Sequence, residues 1–272
     1  MDRRRRNNKI MKILTNILKT AYLGFILFFT YVPILVMIVL SFNSSKSRAR
    51  WDGFTLKWYA EILKNRYLVD ALKNTIVIAF FSALIATFIG TLAAVAINNM
   101  SRRKKAVYMS ITNIPMLNAD IVTGISLLLL FIAVKIPLSF WTILLSHITF
   151  NIPYVILSIM PRLQGLNNTT YEAALDLGAS ENQAFVKVLL PEIMPGVISG
   201  FMLSVTMSLD DFIITHFTRG AGVNTLSTYI YSQVRRGISP TLYALSTVIF
   251  ISILLILIIY NIITSRNNTV NS

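Results

Sequence analysis

Cysteine is absent from the sequence and charge is sparse, with 13% of the 272 residues being Asp, Glu, Lys or Arg against about 25% in an ordinary soluble domain. Without thiols there is no disulfide and no thiolate metal site. Acidic residues number 11 against 25 Lys and Arg, and there are two histidines. No GxxxxGK[ST] phosphate loop occurs, so these residues hold no ATP in the usual way. Neither the GxGD of aspartyl nor the GxSG of serine intramembrane proteases is present. What remains is apolar: 55% of residues are hydrophobic and the mean hydropathy is +0.65.

The few charges are also confined. Lys19 to Lys46, Lys73 to Arg102, Lys135 to Arg162 and Arg236 to Arg266 each bracket an uncharged run longer than the roughly 20 residues that cross a bilayer core. Two further apolar runs are interrupted, one by Asp120 and one by Asp210 and Asp211. The expectation is an all-α polytopic membrane protein of about six transmembrane helices, at 20–42, 74–97, 107–134, 140–160, 194–217 and 241–264. The N-terminal MDRRRRNNK precedes an apolar stretch too long for a signal peptide and followed by no small-x-small cleavage site, so it is read as a retained first helix.

A net charge of +14 invites a nucleic-acid reading, but no soluble module is left to present a basic footprint. The basic residues lie beside the spans: seven in the first 19 positions and four in Arg102, Arg103, Lys104 and Lys105. Such clusters mark the cytoplasmic side. They place both termini inside the cytoplasmic membrane, with a basic tail at 1–19, a transmembrane domain at 20–264 and a second tail at 265–272.

Ser82, Ala86, Gly90 and Ala94 form a smooth stripe at four-residue spacing, and Gly196 and Gly200 repeat it later. In lipid such stripes let backbones pack closely, either within the chain or against a partner. Pro33, Pro115 and Pro153 each remove a helix hydrogen bond within a span and predict kinks. Trp51, Trp58 and Tyr59 in WDGFTLKWYAEIL suggest a short surface helix, suited to headgroup anchoring or to an external partner. His147 and His216 are isolated, which favours core packing or a hydrogen bond over a metal site.

The segment 161–193 is the polar connection between the fourth and fifth spans. Thr169 stands three residues before Glu172 and Ser180 three before Gln183, both capping-box spacings, so two short helices are predicted to start there. Gly178 falls where the first needs a left-handed end. The pattern Glu172-Ala173-Ala174, three residues, Gly178, nine residues, then Val188-Leu189-Leu190-Pro191 closely resembles the EAA motif of ATP-binding-cassette (ABC) importer permeases. The resemblance implies a coupling helix that docks on an ATPase subunit, with Glu172, Ala173, Ala174, Gly178, Glu181 and Pro191 transmitting its movement.

VLSFNSS, FTLKWY, SHITFNIPYVI and SLDDF extend the likeness over nearly the whole chain, to the second permease subunit of spermidine/putrescine importers. That resemblance implies two copies of an ATPase, a second and different permease, an external polyamine-binding protein, a polyamine substrate and no cofactor. It also marks Asp120, Asp210, Asp211, Ser208, Glu181 and Trp58 as residues expected to matter for uptake.

A carboxylate in mid-membrane costs about 2.5–3.5 kcal/mol on insertion scales and is functional by default. Asp120 lies roughly 22 Å along a helix from Lys105 and Asp210 about 24 Å from the inner surface, at 1.5 Å per residue. The three acids therefore share one level, as the passage of a polycation requires. The alternative is structural: Asp120 capping a half-helix after Pro115, and one of Asp210 and Asp211 pairing with a basic residue. Adjacent helical residues diverge by about 100 degrees, which predicts one aspartate on the path and one in the structure, with Asp211 preferred on the path. The competing readings are an anion or iron permease, a channel, and an intramembrane enzyme.

Overall fold

The computed structural model describes residues 2–47, 49–166 and 168–270, with side chains described for 15–47, 49–166, 171–255 and 258. The described residues are helical apart from connecting loops and one isolated bridge between Asn43 and Phe54. In chain order the helices begin with α1 (Asp2–Ser41), α2 (Lys57–Lys64), α3 (Arg66–Asn98), α4 (Arg102–Leu117), α5 (Asp120–Ala133) and α6 (Phe140–Gly165). After α7 (Asn168–Asp176) and α8 (Glu181–Ala184), a π-helical turn (Phe185–Leu189) leads into α9 (Leu190–Asp210). Then come α10 (Ile213–Thr218), α11 (Leu226–Arg236) and α12 (Pro240–Val270).

Four of these segments are long and apolar enough to cross a membrane: Thr15–Ser41, Arg66–Asn98, Phe140–Gly165 and Glu181–Asp210. The pair α4 and α5 adds a fifth if its two arms form one span, and Pro240–Leu255 is a shorter apolar helix. The chain is thus an all-α polytopic membrane protein.

It divides into two compact units, residues 1–66 with 233–272, and residues 67–232. In the first, α12 packs on α1 and α2. Backbone helix runs through the basic segment from Asp2 onward without a break at position 19; the side chains of Arg3 to Arg6, and those of the 265–272 tail, lie outside the described residues. Asn43 organises the loop that follows α1. Its side chain donates to the Arg50 carbonyl at 2.7 Å and accepts from the backbone N–H groups of Ser45 and Asp52 at 3.1 Å each. Its carbonyl accepts the indole N–H of Trp58 at 2.7 Å. Trp58, expected on the substrate path, is buried in this unit and its one polar atom is spent on that bond.

The second unit is built on α3, α6 and α9. Ser82, Ala86, Gly90 and Ala94 are all buried, and a Cβ on Gly90 would stand 2.7 Å from Val155 of α6, closer than side chains tolerate. Gly196 abuts Ile159 and Arg162, and Gly200 abuts Val155. Both stripes therefore serve packing within the chain. A core of Ala94, Ile97, Val155, Ile156, Ile159 and Ile193 closes one end.

Two expected spans are broken. The third, read as one helix over 107–134, is two arms bent by 104°. Pro115 removes a hydrogen bond near the end of α4, and Asn118 and Ala119 are extended, which ends the helix. The fifth, read as 194–217, stops at Asp210 because Asp211 is extended (φ −64°, ψ 124°) and a new helix starts after it. Pro33 and Pro153, by contrast, sit inside uninterrupted helices.

Candidate functional site: a carboxylate-lined pocket and its hydrogen-bonded frame

The two breaks lie beside one another in the second unit. Helix α5 packs on α10, and Gly124 permits it: a Cβ there would meet Phe217 at 3.1 Å and the Ile214 backbone at 3.4 Å. Between them lies a cavity of about 360 Å³ lined by Asp120, Asp210, Asp211, Phe150, Phe212 and Thr206 among others, with no basic side chain in its wall. Three carboxylates expected at one depth thus line one pocket.

Their chemistry differs. The carboxylate of Asp211 is only 8% exposed. One oxygen accepts from the backbone N–H of Ile214 at 3.1 Å; the other accepts from the N–H of Thr215 and from its hydroxyl, both at 2.8 Å. This caps α10, since the first N–H groups of a helix have no partner within it. The Asp211 carbonyl in turn accepts from the Ser227 hydroxyl at 2.7 Å.

His147 joins this cap to α6 and α3. Its ring is 1% exposed, with Nε2 2.9 Å from the Thr215 hydroxyl and 3.4 Å from the Asp211 carboxylate. Nδ1 meets the Ser208 hydroxyl, which lies 3.3 Å from that of Ser82. An ionised carboxylate can only accept, so Thr215 donates to Asp211. With a neutral imidazole, His147 Nε2–H then donates to Thr215 and Ser208 donates to Nδ1, while the Ser82 hydroxyl has both Ser208 and the Ala79 carbonyl as acceptors at 3.3 Å. The chain ties α3, α6, α9 and α10 together at the level of the pocket. Ser208 belongs to this frame and not to the pocket wall. The sequence reading gave His147 only packing or one hydrogen bond, and did not find Thr215 or Ser82. The one available clue was that a buried imidazole needs partners on both nitrogens.

Asp120 and Asp210 are the exposed acids, and neither has a hydrogen-bond or ion-pair partner among the described residues. Asp120 is the first residue of α5 and makes no side-chain cap. The positive end of the helix dipole favours its charge there, whereas Asp210 is the last residue of α9, where carboxylate and dipole are both negative. An unpaired acid in that place raises helix energy and makes a strong local attraction for a cation. Phe150 and Phe212 also line the cavity; the Phe212 ring stacks on His216 and packs against Tyr231. The described residues hold no group of three His, Cys, Asp or Glu arranged for a metal ion.

The polar segment 161–193 is a second candidate site. Helix α7 carries Glu172, Ala173 and Ala174; Thr169, whose capping role was expected, has its side chain outside the described residues. The helix closes with Leu177 N–H on Ala173 O, Gly178 N–H on Leu175 O, and Ala179 N–H on Ala174 O. Gly178 has φ +89°, a conformation that only glycine adopts without strain. Ser180 then caps α8 with a reciprocal Gln183 contact, as its spacing predicts. The second helix is not short, however: it passes through the π turn into α9. Pro191 has no N–H for the carbonyl four residues back, and the turn widens there, with Leu190 N–H reaching Phe185 O. Glu172, Ala173, Gly178, Glu181 and Pro191 are exposed and Ala174 is half-buried. Leu177, at 89% exposure, presents an apolar tip beside them.

Comparison with known proteins covers both sites. The family described as "Binding-protein-dependent transport system inner membrane component" matches residues 86–268. A spermidine/putrescine transport system permease protein PotC from Haemophilus influenzae is 38% identical over 251 residues, covering 92% of this chain and 98% of its own. The PotC protein of Escherichia coli strain K12 is 40% identical over 253 residues, covering 93% and 96%. Among solved structures, a bacterial ABC transporter involved in import of the acidic polysaccharide alginate superposes with a TM-score of 0.71 at 16% identity, covering 93% of this chain and 96% of that one. That likeness is one of fold.

The division of labour between neighbouring acids gives a stability test. Asp211→Ala is expected to lower the melting temperature of the purified protein by several degrees, from loss of a cap worth about 0.5–2 kcal/mol and exposure of unpaired donors. Asp210→Ala should leave it unchanged or raise it. Thermal unfolding followed by tryptophan fluorescence distinguishes the two variants.

Proposed function

The chain belongs to the family of binding-protein-dependent transport system inner membrane components, and on that premise we propose that it is the permease subunit of an ABC importer moving polyamines across the cytoplasmic membrane by alternating access. It is a transport subunit, not an enzyme. ATP hydrolysis belongs to a partner ATPase, and substrate arrives from an external binding protein. The observation that carries the substrate class is the pocket, where two unpaired carboxylates and two aromatic rings line a wall without a basic residue. The same wall, with carboxylates at both helix breaks and no basic side chain, disfavours an anion permease. The names of the relatives point to the same substrates.

The finer assembly follows the family pattern: two ATPase copies, a second and different permease subunit, a polyamine-binding protein outside, and lipid around the apolar helix faces. Six spans, counting the bent pair and α12, leave both termini inside with the loop that carries Glu172 and Gly178. In this arrangement α7, its Gly178 turn and the exposed Leu177 seat on the ATPase, and the continuous α8-to-α9 helix carries the movement to Asp210. Glu181 and Pro191 lie on that route. Trp58 acts at a distance, by fixing the Asn43 loop.

Uptake into proteoliposomes containing the whole importer tests both sites. Asp120→Asn and Asp210→Asn should each lower kcat/KM for spermidine about tenfold, ~1.4 kcal/mol, within the ~1–4 kcal/mol of an ion pair at 4 Å between bulk water and an effective dielectric of 20. Putrescine, with one amine fewer, should lose less. Gly178→Val should abolish uptake of both while the binding protein still captures substrate. Wild-type rates in both aspartate variants would remove the carboxylates from the path. Orientation has its own check in this cysteine-free chain: Asn182→Cys should react with an impermeant thiol reagent only in opened membranes.

A further inference from the structure

One helical turn below the His147 frame, towards α7, the interior of the second unit holds polar atoms that bond to nothing among the described residues: Thr87 Oγ1, both amide atoms of Asn151, and Ser204 Oγ. Asn151 and Ser204 are 0% exposed and Thr87 is also buried. Buried polar groups in native proteins have partners in about nine cases of ten or more, so four such atoms call for an explanation.

Their positions converge. Helices α6 and α9 run antiparallel, with Gly196 against Ile159, Gly200 against Val155, and Ser208 on His147. Four residues back from Ser208 is Ser204, and four on from His147 is Asn151, so the two face each other at the next level. On α3, Ser82 meets Ser208 and Gly90 meets Val155, which puts Thr87 between those levels. The hydroxyls also make no bond to the carbonyls of their own helices. Thr75, Thr91, Ser146, Ser158 and Ser199 each donate to the carbonyl four residues back at 2.7–2.9 Å. Thr87 and Ser204 forgo that bond, an unusual choice for a buried helical hydroxyl.

We propose that Thr87, Asn151 and Ser204 form a water-binding site between α3, α6 and α9, holding one or two ordered waters. The chemistry fits. A buried water makes about three hydrogen bonds; here the Asn151 amide supplies one acceptor and one donor, and each hydroxyl supplies either. The bound water places a second polar contact between the three helices one turn from the Asp211–Thr215–His147–Ser208–Ser82 chain.

Two measurements on the whole importer decide it. A cryo-EM map fine enough to show solvent should contain a density about 2.7–3.2 Å from the Asn151 amide and from at least one of the two hydroxyls. A seam whose side chains are resolved and bond directly to one another, or enclose no such density, overturns the proposal. Thermal unfolding gives an independent reading. With water held, Asn151→Leu strands the water and both hydroxyls and lowers the melting temperature by about 2–4 °C, and adding Thr87→Val and Ser204→Ala recovers the loss by drying the seam. If the atoms bind no water, Asn151→Leu alone raises the melting temperature, and the site does not exist. Should Asn151→Leu fail to assemble, the map of the unaltered importer decides.

Discussion

The cap that Asp211 places on α10 is the interaction on which the pocket depends. A carboxylate that accepts two backbone N–H groups and a hydroxyl holds its own residue out of helix, and that stops α9 one residue earlier, at Asp210. The stop turns Asp210 into a helix C-terminus facing a cavity rather than one more residue on a continuous span. The two adjacent acids are thereby given different work: one is saturated and structural, the other unpaired and available to a cation. His147 extends the arrangement by tying the cap to α6 through its ring and to α3 through Ser208 and Ser82.

The opposite wall arises from a separate cause, the extended backbone at Asn118 and Ala119 and the start of α5 at Asp120. Gly124 lets α5 lie against α10, so two breaks that are far apart in sequence become neighbours. Discontinuous helices at membrane depth are tolerated where they line a cavity, and here their ends supply charge as well as space. The small-residue faces of α3 and α9 meet the same α6 surface, at Val155. A push on α8 has a continuous helical route, through the π turn at Phe185–Leu189, to the residue that ends at the pocket.

Local chemistry was legible in the sequence and tertiary consequence was not. The turn at Gly178 and the cap at Ser180 were readable because each depends on residues within four positions. The apolar runs were readable because a bilayer demands length. The break at Asn118 entered only as the alternative of a half-helix after Pro115, and that at Asp211 was missed in form, because mean hydropathy averages over one or two extended residues. That Asp210 and Asp211 would differ followed from helix geometry, but the preference for Asp211 on the path assumed that the helix continued, whereas it stops at Asp210 and leaves Asp211 buried in a cap. Trp58 carried a family expectation whose structural setting, an indole closing the Asn43 loop, no spacing rule discloses. His147 looked isolated because its partners stand 61 and 68 residues away.

The central claim is that Asp120 and Asp210, from two different helix breaks, engage one cation together. A double-mutant cycle on polyamine uptake tests it most directly, comparing Asp120→Asn, Asp210→Asn and the pair in the reconstituted importer. Shared engagement predicts that the double variant loses markedly less than the product of the single losses, a coupling of about 0.5–3 kcal/mol. Losses that multiply without coupling would mean that the two carboxylates act on different events, and the shared pocket would not be the polyamine site.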